Sequence, residues 1–356
     1  EHNGFKMMLG KGSLHGKKIR SLEHIARAGA FASAPHPGKL KTYDLAEAYV
    51  ADIAGRLHLG PHRLKVAIDG GNGTGGPPAE RLLAMLGLET VPLFIPMDGR
   101  FPNHHPDPTV EENLVDLRKA VLDQQCDVGI AYDGDADRIG VLDENGEVIW
   151  GDRLMIVLSR QLLDKHPGAT IVGEVKCSKT LFEDIAARGG RPIMSAVGHS
   201  IIKDRMKEEG ALLAGEMSGH IFYKDRWLGF DDAIYVTGRL LEILSHARGS
   251  LSSLLADVPK TQVTPEIRLD CPDAVKFDVV AQAVAHFGAA HPVIDIDGAR
   301  IDFGDGWGLI RASNTQPVIV LRAEAETAEG LLRIRTTLER FVAERGDIDP
   351  SARPHA

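Results

Sequence analysis

The sequence has little cysteine, no long apolar run and no excess of basic charge, and each absence removes a class of protein. Three cysteines in 356 residues, Cys126, Cys177 and Cys271, are odd in number and far apart, so they form neither a disulfide framework nor a Cys-x-x-Cys metal site. That usage suits a reducing, cytoplasmic setting. No apolar stretch reaches the roughly 20 residues of a membrane span, and the opening "EHNGFKMMLG" lacks the shape of a signal peptide. With 41 basic against 50 acidic side chains, the formal net charge is −9. Nucleic acid or an anionic membrane as main partner would favour a basic face instead. Nothing in the composition requires an oligomer.

What is present is alternation. At roughly 100 to 200 residues per domain, the length fits two to four domains. From Lys41 onward, helix and strand patterns follow one another: helix 44–57, strand "RLKVAID" (63–69), helix "PAERLLAML", strand "ETVPLFI". Thr109 and Glu112 form a capping-box pattern that predicts a helix over 110–124, and "CDVGIAY" reads as a buried strand. Such β-α-β order predicts a largely parallel sheet covered by helices, with ligands beyond the carboxyl ends of the strands. The pattern restarts near Trp150, from "RLMIVLSRQLLDKH" to a long helix ending about His246. After the stretch "ARGSLSSLLADVPKTQVTP", strands such as "QVTPEIRL", "WGLIRAS" and "PVIVLRAEA" dominate and a helix closes the chain, which predicts a small α+β domain.

The densest chemistry lies in "GIAYDGDADRIG". Asp133, Asp135 and Asp137 stand at i, i+2 and i+4 directly after a buried strand. On an extended or looped backbone they point one way and make a hard-oxygen cage for Mg²⁺ or Ca²⁺; without a cation they would repel. An EF-hand is excluded, because its sixth position needs a sharply turning residue, normally glycine, and Arg138 stands there. Arg138 is placed to clamp a phosphate whose charge the metal shares.

Other motifs admit two readings each. "GEMSGH" offers Glu216, Ser218 and His220, suited to vicinal sugar hydroxyls or to an ordinary solvated turn. "RASNTQP" carries Arg311, Ser313, Asn314 and Thr315, a phosphate nest or a polar hairpin turn. "DGGNGTGGPP" sets Gly71, Gly73 and Gly76 in a GxGxxG pattern, but Glu89 precedes the second strand where a dinucleotide site wants its acidic residue at the strand's end, so a tight structural turn is preferred. His104 and His105 lack metal-ligand spacing and read as a rigid loop. Lys176 and His199 each end a strand, which favours ligand binding over capping or a surface role.

In that order, "DGDADR", "GEMSGH" and "RASNTQP" resemble the α-D-phosphohexomutases, and most closely the bacterial phosphomannomutase/phosphoglucomutase branch. The likeness runs through "VGEVKCSKTLFEDIAARGG", "VGHSIIK" and "RWLGFDDAIY", and Met217 in the sugar loop leans toward that branch. The resemblance implies a multi-domain α/β architecture, with mixed sheets around a cleft and a smaller C-terminal α+β domain. Its implied divisions are 1–43 for the tail of the catalytic-serine domain, 44–148 for the metal domain, 149–258 for the sugar domain and 259–356 for the phosphate domain. A phosphoserine would exchange its phosphoryl group with glucose or mannose 1- or 6-phosphate through a hexose 1,6-bisphosphate.

By the same resemblance, Asp133, Asp135 and Asp137 would hold Mg²⁺ and Arg138 would orient the transferring group. Glu216 and Ser218 would hold sugar hydroxyls with His220 nearby, and Lys176 and His199 would line the sugar site. Arg311, Ser313, Asn314 and Thr315 would anchor the other phosphate, and Lys6 is a candidate acid/base. The family's serine loop, T-(A/G)-S-H-N-P, would fall just upstream of Glu1, and His2 stands where a tyrosine is usual. Two rival expectations follow: a fragment that binds sugar phosphates without turnover, and a nicotinamide oxidoreductase built on the GxGxxG turn.

Overall fold

The structure, a computed structural model, describes residues 7–10, 12–14, 17–29, 31–314, 316–345 and 348. Strands β1 (Met8–Leu9) and β2 (Gly12–Ser13) pair antiparallel ahead of helix α1 (Lys17–Ala28).

The first large sheet follows helix α2 (Ala46–Arg56) and is built from β3 (Lys65–Asp69), α3 (Gly76–Met85), β4 (Glu89–Leu93), α4 (Val115–Gln124), β5 (Val128–Tyr132), β6 (Ile139–Leu142) and β7 (Val148–Ile149). Its strand order is β4-β3-β5-β6-β7. The nearly all-buried runs "KVAID" and "VGIAY" take the centre, and β4 carries Pro92, which cannot donate a ladder bond and suits an edge. Strands β4, β3 and β5 are parallel as expected, but β6 pairs antiparallel with β5 and β7 antiparallel with β6, so the sheet is mixed. Val50 and Ile53 of α2 and Leu82 and Leu83 of α3 pack on one face; Leu117 and Val121 of α4 pack on the other.

The capping box does not form. Thr109 instead bonds to Asp107, its N–H and hydroxyl both donating to Asp107 Oδ1 at 3.0 and 2.7 Å. Residues Glu111–Leu114 make a 3-10 turn before α4 begins, with no side-chain cap. Asp107 outcompetes Glu112 because an Asx turn closes over two residues and needs no helix already in place.

The second sheet takes up α5 (Gly151–Lys165), β8 (Thr170–Glu174), α6 (Lys179–Ala187), β9 (Arg191–Ser195), α7 (His199–Glu208), β10 (Leu213–Gly215), β11 (Ile221–Tyr223) and α8 (Ala233–His246). The order is β11-β10-β8-β9, with β11 antiparallel to the rest. One apolar core runs without interruption from Ile68 and Tyr132 of the first sheet through Met155, Leu240 and Leu213 of this unit. Asp232 caps α8 and also accepts the Tyr49 hydroxyl of α2 at 2.7 Å, which ties the two units together.

The C-terminal sheet is antiparallel and comprises β12 (Gln262–Val263), β13 (Ile267–Asp270), α9 (Lys276–Gly288), β14 (Val293–Ile294), β15 (Ala299–Asp302), β16 (Gly306–Ala312), β17 (Val318–Ala325) and α10 (Ala328–Ala343). Helix α9 was not read from sequence. The run "QVTPEIRL", read as one strand, is two, both paired to β17 and broken at Pro265. Helices α9 and α10 cover one face. On the other, Trp307 and Leu309 meet Val175 of the second unit. Among the described residues no helix is long and apolar enough to cross a membrane.

Candidate active site

The site starts from a buried anchor. Asp69, fully buried at the end of β3, accepts the Gly71 N–H at 2.8 Å and lies 3.0 Å from His104 Nε2. His104 thereby fixes a turn, and the ring of His105 rests against Phe101; the histidine pair serves the loop. The glycine-rich turn packs on the aspartate loop. Thr74 N–H donates to Gly134 O at 3.0 Å, a methyl on Gly73 would stand 2.8 Å from that oxygen, and one on Gly75 would meet Ala136 Cβ at 2.9 Å. These glycines make room for a neighbouring backbone, as the reading of a tight structural turn expects.

Ala136 takes a left-handed φ of 59°, and its N–H bonds back to Asp133 O at 3.2 Å. That curl gathers Asp133, Asp135 and Asp137, whose carboxylate oxygens lie within 4.8 Å of one another. Burial pushes the Asp133 carboxyl up to about 6 with the nearby Asp137 charge adding to it, against hydrogen bonds from Arg138. Arg138 bridges two carboxylates, its Nε 2.8 Å from Asp133 Oδ2 and its Nη1 2.9 Å from Asp107 Oδ1. The sequence signals Arg138 but not Asp107.

The loop carrying Glu216, Ser218 and His220 is welded to this one through the backbone. Arg138 and His220 form an antiparallel bridge, and Ile139 N–H donates to Gly219 O at 3.1 Å. His220 Nδ1 lies 2.7 Å from Glu216 Oε2 and 3.1 Å from Ser218 Oγ, and its Nε2 lies 3.2 Å from Asp137 Oδ1. Burial favours the neutral ring, yet the Asp137 and Glu216 carboxylates win and raise its pKa to about 9. With no cation at Asp137, the two carboxylates thus favour the imidazolium. A second group able to hold a cation, Asp137, His220 and Asp231, shares Asp137 with the first.

His199 and Arg311 reach this centre or its border, whereas among the described residues no contact brings Ser313 or Asn314 to it. His199 opens α7, stacks on His220 at 6.1 Å between ring centroids, and has Nδ1 3.5 Å from Asp231 Oδ2. Gly198 N–H donates to Glu216 Oε1 at 2.8 Å. Arg311 reaches the same place from β16: its Nε donates to Asp297 Oδ2 at 2.8 Å, and that oxygen also accepts Val197 N–H at 2.9 Å. Lys176 Nζ pairs with Glu266 Oε1 at 2.6 Å. Ser313 Oγ accepts Gln316 N–H at 3.2 Å in a turn where Asn314 is exposed. Lys6 and Thr315 lie outside the described residues. Beside the aspartates a cavity of about 760 Å³ is lined by Asp135, Asp137, His199, Lys203 and Asp231, with Met7 at its rim.

An α/β chain of three large sheets, with an acidic loop bridged to the loop carrying Glu216 and His220 and an arginine reaching in from the C-terminal sheet, has close counterparts. Family models match in order: phosphoglucomutase/phosphomannomutase alpha/beta/alpha domain II over residues 47–146, domain III over 150–261 and the C-terminal domain over 266–340. A phosphomannomutase/phosphoglucomutase of Pseudomonas putida is 44% identical over 94% of this chain and 72% of its own length. A phosphoglucomutase of Neisseria gonorrhoeae is 43% identical over 96% of this chain and 75% of its own. The crystal structure of a phosphoglucomutase/phosphomannomutase family protein from Burkholderia thailandensis superposes with a TM-score of 0.89 at 41% identity, covering 96% of this chain and 73% of that one. The chain belongs to the phosphoglucomutase/phosphomannomutase family, the α-D-phosphohexomutases.

Proposed function

We propose that the protein interconverts the 1- and 6-phosphates of glucose and mannose, by reversible phosphoryl exchange with a phosphoserine through a hexose 1,6-bisphosphate. The observation that carries this reading is the contact between the aspartate loop and the sugar loop, where His220 lies 3.2 Å from Asp137 and 2.7 Å from Glu216. Phosphoryl transfer asks a protein chiefly for positioning and charge neutralisation, and a metal-type carboxylate group fused to a sugar-type loop provides both at one point.

Three converging carboxylates fit Mg²⁺, a hard cation that takes oxygen donors, and Asp133, Asp135 and Asp137 would hold it. When bound, the cation supplies charge neutralisation at the transferring phosphoryl group. Arg138, fixed by Asp133 and Asp107, would orient that group. Glu216 and Ser218 would accept and donate hydrogen bonds at sugar hydroxyls, with Lys176 and His199 along the same wall. His220, between Asp137 and Glu216, would donate a proton or hold a hydroxyl, and Lys6 remains a second candidate by resemblance. Arg311, Ser313, Asn314 and Thr315 would anchor the phosphate that is not in transfer.

The test is turnover by the intact protein of glucose 1-phosphate and mannose 1-phosphate, primed with hexose 1,6-bisphosphate, with Mg²⁺ and again with a chelator. Conversion of both sugars to 6-phosphates, abolished by the chelator, is the expected outcome. No conversion of either sugar in primed, Mg²⁺-containing buffer overturns the reading.

A further inference from the structure

Glu266 stands at the bend between β12 and β13, where Pro265 interrupts the pairing to β17. The bend aims its carboxylate across the seam between the second and third sheets. Oε1 lies 2.6 Å from Lys176 Nζ, and Oε2 lies 3.3 Å from Arg268 Nη2. Burial would raise the Glu266 carboxyl, but the charges of Lys176, Arg268 and Arg322 outweigh it and hold the group below its ordinary range.

Of the surrounding cations, Arg268 has a second acceptor, its Nη1 donating to Gln316 Oε1 at 2.7 Å, but Arg322 is under-supplied. Arg322, 7% exposed on β17, turns its guanidinium against Met217 Sδ in the sugar loop, and its buried Nε has no hydrogen-bond partner. Lys176 is buried, and its next carboxylate oxygen, Glu174 Oε1, is 4.0 Å away. A carboxylate shared by Lys176 and Arg268 and close to Arg322, beside the sugar loop, occupies ground that an anionic ligand would contest.

We infer that Glu266 is an internal stand-in for the substrate's anionic group, pairing with Lys176 and Arg268 in the free protein and giving way when a hexose phosphate enters. This rests on the reading of the cleft as a hexose-phosphate site. Binding must break the Lys176–Glu266 pair, which weakens affinity. In return, Glu266 recaptures Lys176 as the ligand lets go, which favours release and the turning over of a bisphosphate within the cleft. Glu266 is a positioning residue, acting on substrate through Lys176.

The experiment measures glucose 1-phosphate binding by calorimetry in Mg²⁺ buffer, and KM and kcat, for the intact protein and for Glu266→Gln, Glu266→Ala and Glu266→Asp. Lys176 keeps Glu174 beside it in every variant, so its buried ammonium is not left without a carboxylate. Gln and Ala should each lower Kd by roughly threefold to tenfold, the order of one competing ion pair. KM should fall with it and kcat should drop, while Asp, which keeps the charge, stays near wild type. A purely structural role would instead lower Tm and raise KM. Wild-type or weaker binding by both Gln and Ala overturns the inference while leaving the hexose-phosphate reading intact. No binding by the wild-type protein sinks that reading, and the inference with it.

Discussion

Gly219 approaches Ile139 so closely that a methyl group on residue 219 would stand 2.3 Å from the Ile139 carbonyl oxygen. The contact is the joint between the strand that leaves the aspartate loop and the loop that carries Glu216 and His220. Its reciprocal side is the Ile139 N–H donating to Gly219 O at 3.1 Å. Gly219 also holds φ at +94°, a conformation that side-chain-bearing residues rarely adopt.

Gly219→Ala should therefore cost stability twice, through backbone strain and through a clash with a backbone atom that has no rotamer to yield. The expected loss is about 2 to 4 kcal/mol, measured by urea unfolding, with turnover falling as the joint opens. Unfolding within about 0.5 kcal/mol of wild type would show that the joint relaxes at little cost and does not set the spacing of the two loops.

Asp135→Asn tests the metal assignment with the least collateral damage. Asp135 is the exposed member of its trio, whereas Asp133 is buried and held by Arg138. Exchanging a surface carboxylate for an amide of the same shape leaves no buried orphan. Turnover at saturating sugar should fall by roughly 10² to 10³, as when one electrostatic stabiliser of a transition state is removed, and the Mg²⁺ requirement should move to higher concentration. Calorimetric affinity for glucose 1-phosphate should change by less than about twofold. Unchanged turnover would refute the role of the trio.

The trio was legible because its pattern is local: three carboxylates two residues apart, leaving a fully buried strand, have few solvated explanations. Asp107, Asp231, Glu266 and Asp297 were not legible, although each touches a site residue. A single acid in a loop carries no pattern, and its partners, such as Lys176 for Glu266 or Arg311 for Asp297, lie on other elements. Strand direction was partly hidden for a related reason. Short apolar runs such as "IGVL" of β6 and "IFY" of β11 read alike whether parallel or antiparallel, and both turned out to reverse. Helix α9 did leave a signal, since Val279, Ala283 and Phe287 recur at helical spacing and all are buried.

Protonation of His220 should mark the pH profile of stability in metal-free protein. Asp137 and Glu216 overcome burial to raise its pKa from the ordinary 6.5 to about 9, so the folded state binds this proton more tightly than the unfolded chain. Its contribution is complete below about pH 6.5 and is lost as pH climbs through about 9. In chelator, wild-type unfolding free energy should fall between pH 7 and pH 9 by on the order of 1 to 3 kcal/mol more than that of His220→Asn. Parallel curves for the two proteins would mean that the paired carboxylates do not hold the charged ring.

Gly73→Ala probes the glycine-rich turn in its structural sense. Residue 73 carries no positive φ, so alanine brings no intrinsic strain there; its cost is the meeting of the new methyl with Gly134 O at 2.8 Å, Gly134 Cα at 3.0 Å and Asp133 O at 3.2 Å. Gly134 lies between Asp133 and Asp135, so the push falls on the carboxylate trio while the core behind β5 stays packed. The expected result separates the two glycines. Gly219→Ala loses fold and function together, whereas Gly73→Ala should cost only about 1 to 2 kcal/mol while its Mg²⁺ half-saturation rises by roughly tenfold, read from Mg²⁺ titration of turnover. If metal dependence stays at the wild-type value, the turn merely fills space and does not shape the trio; if instead NADH fluorescence responds to the wild-type protein and not to the variant, the turn binds a dinucleotide after all.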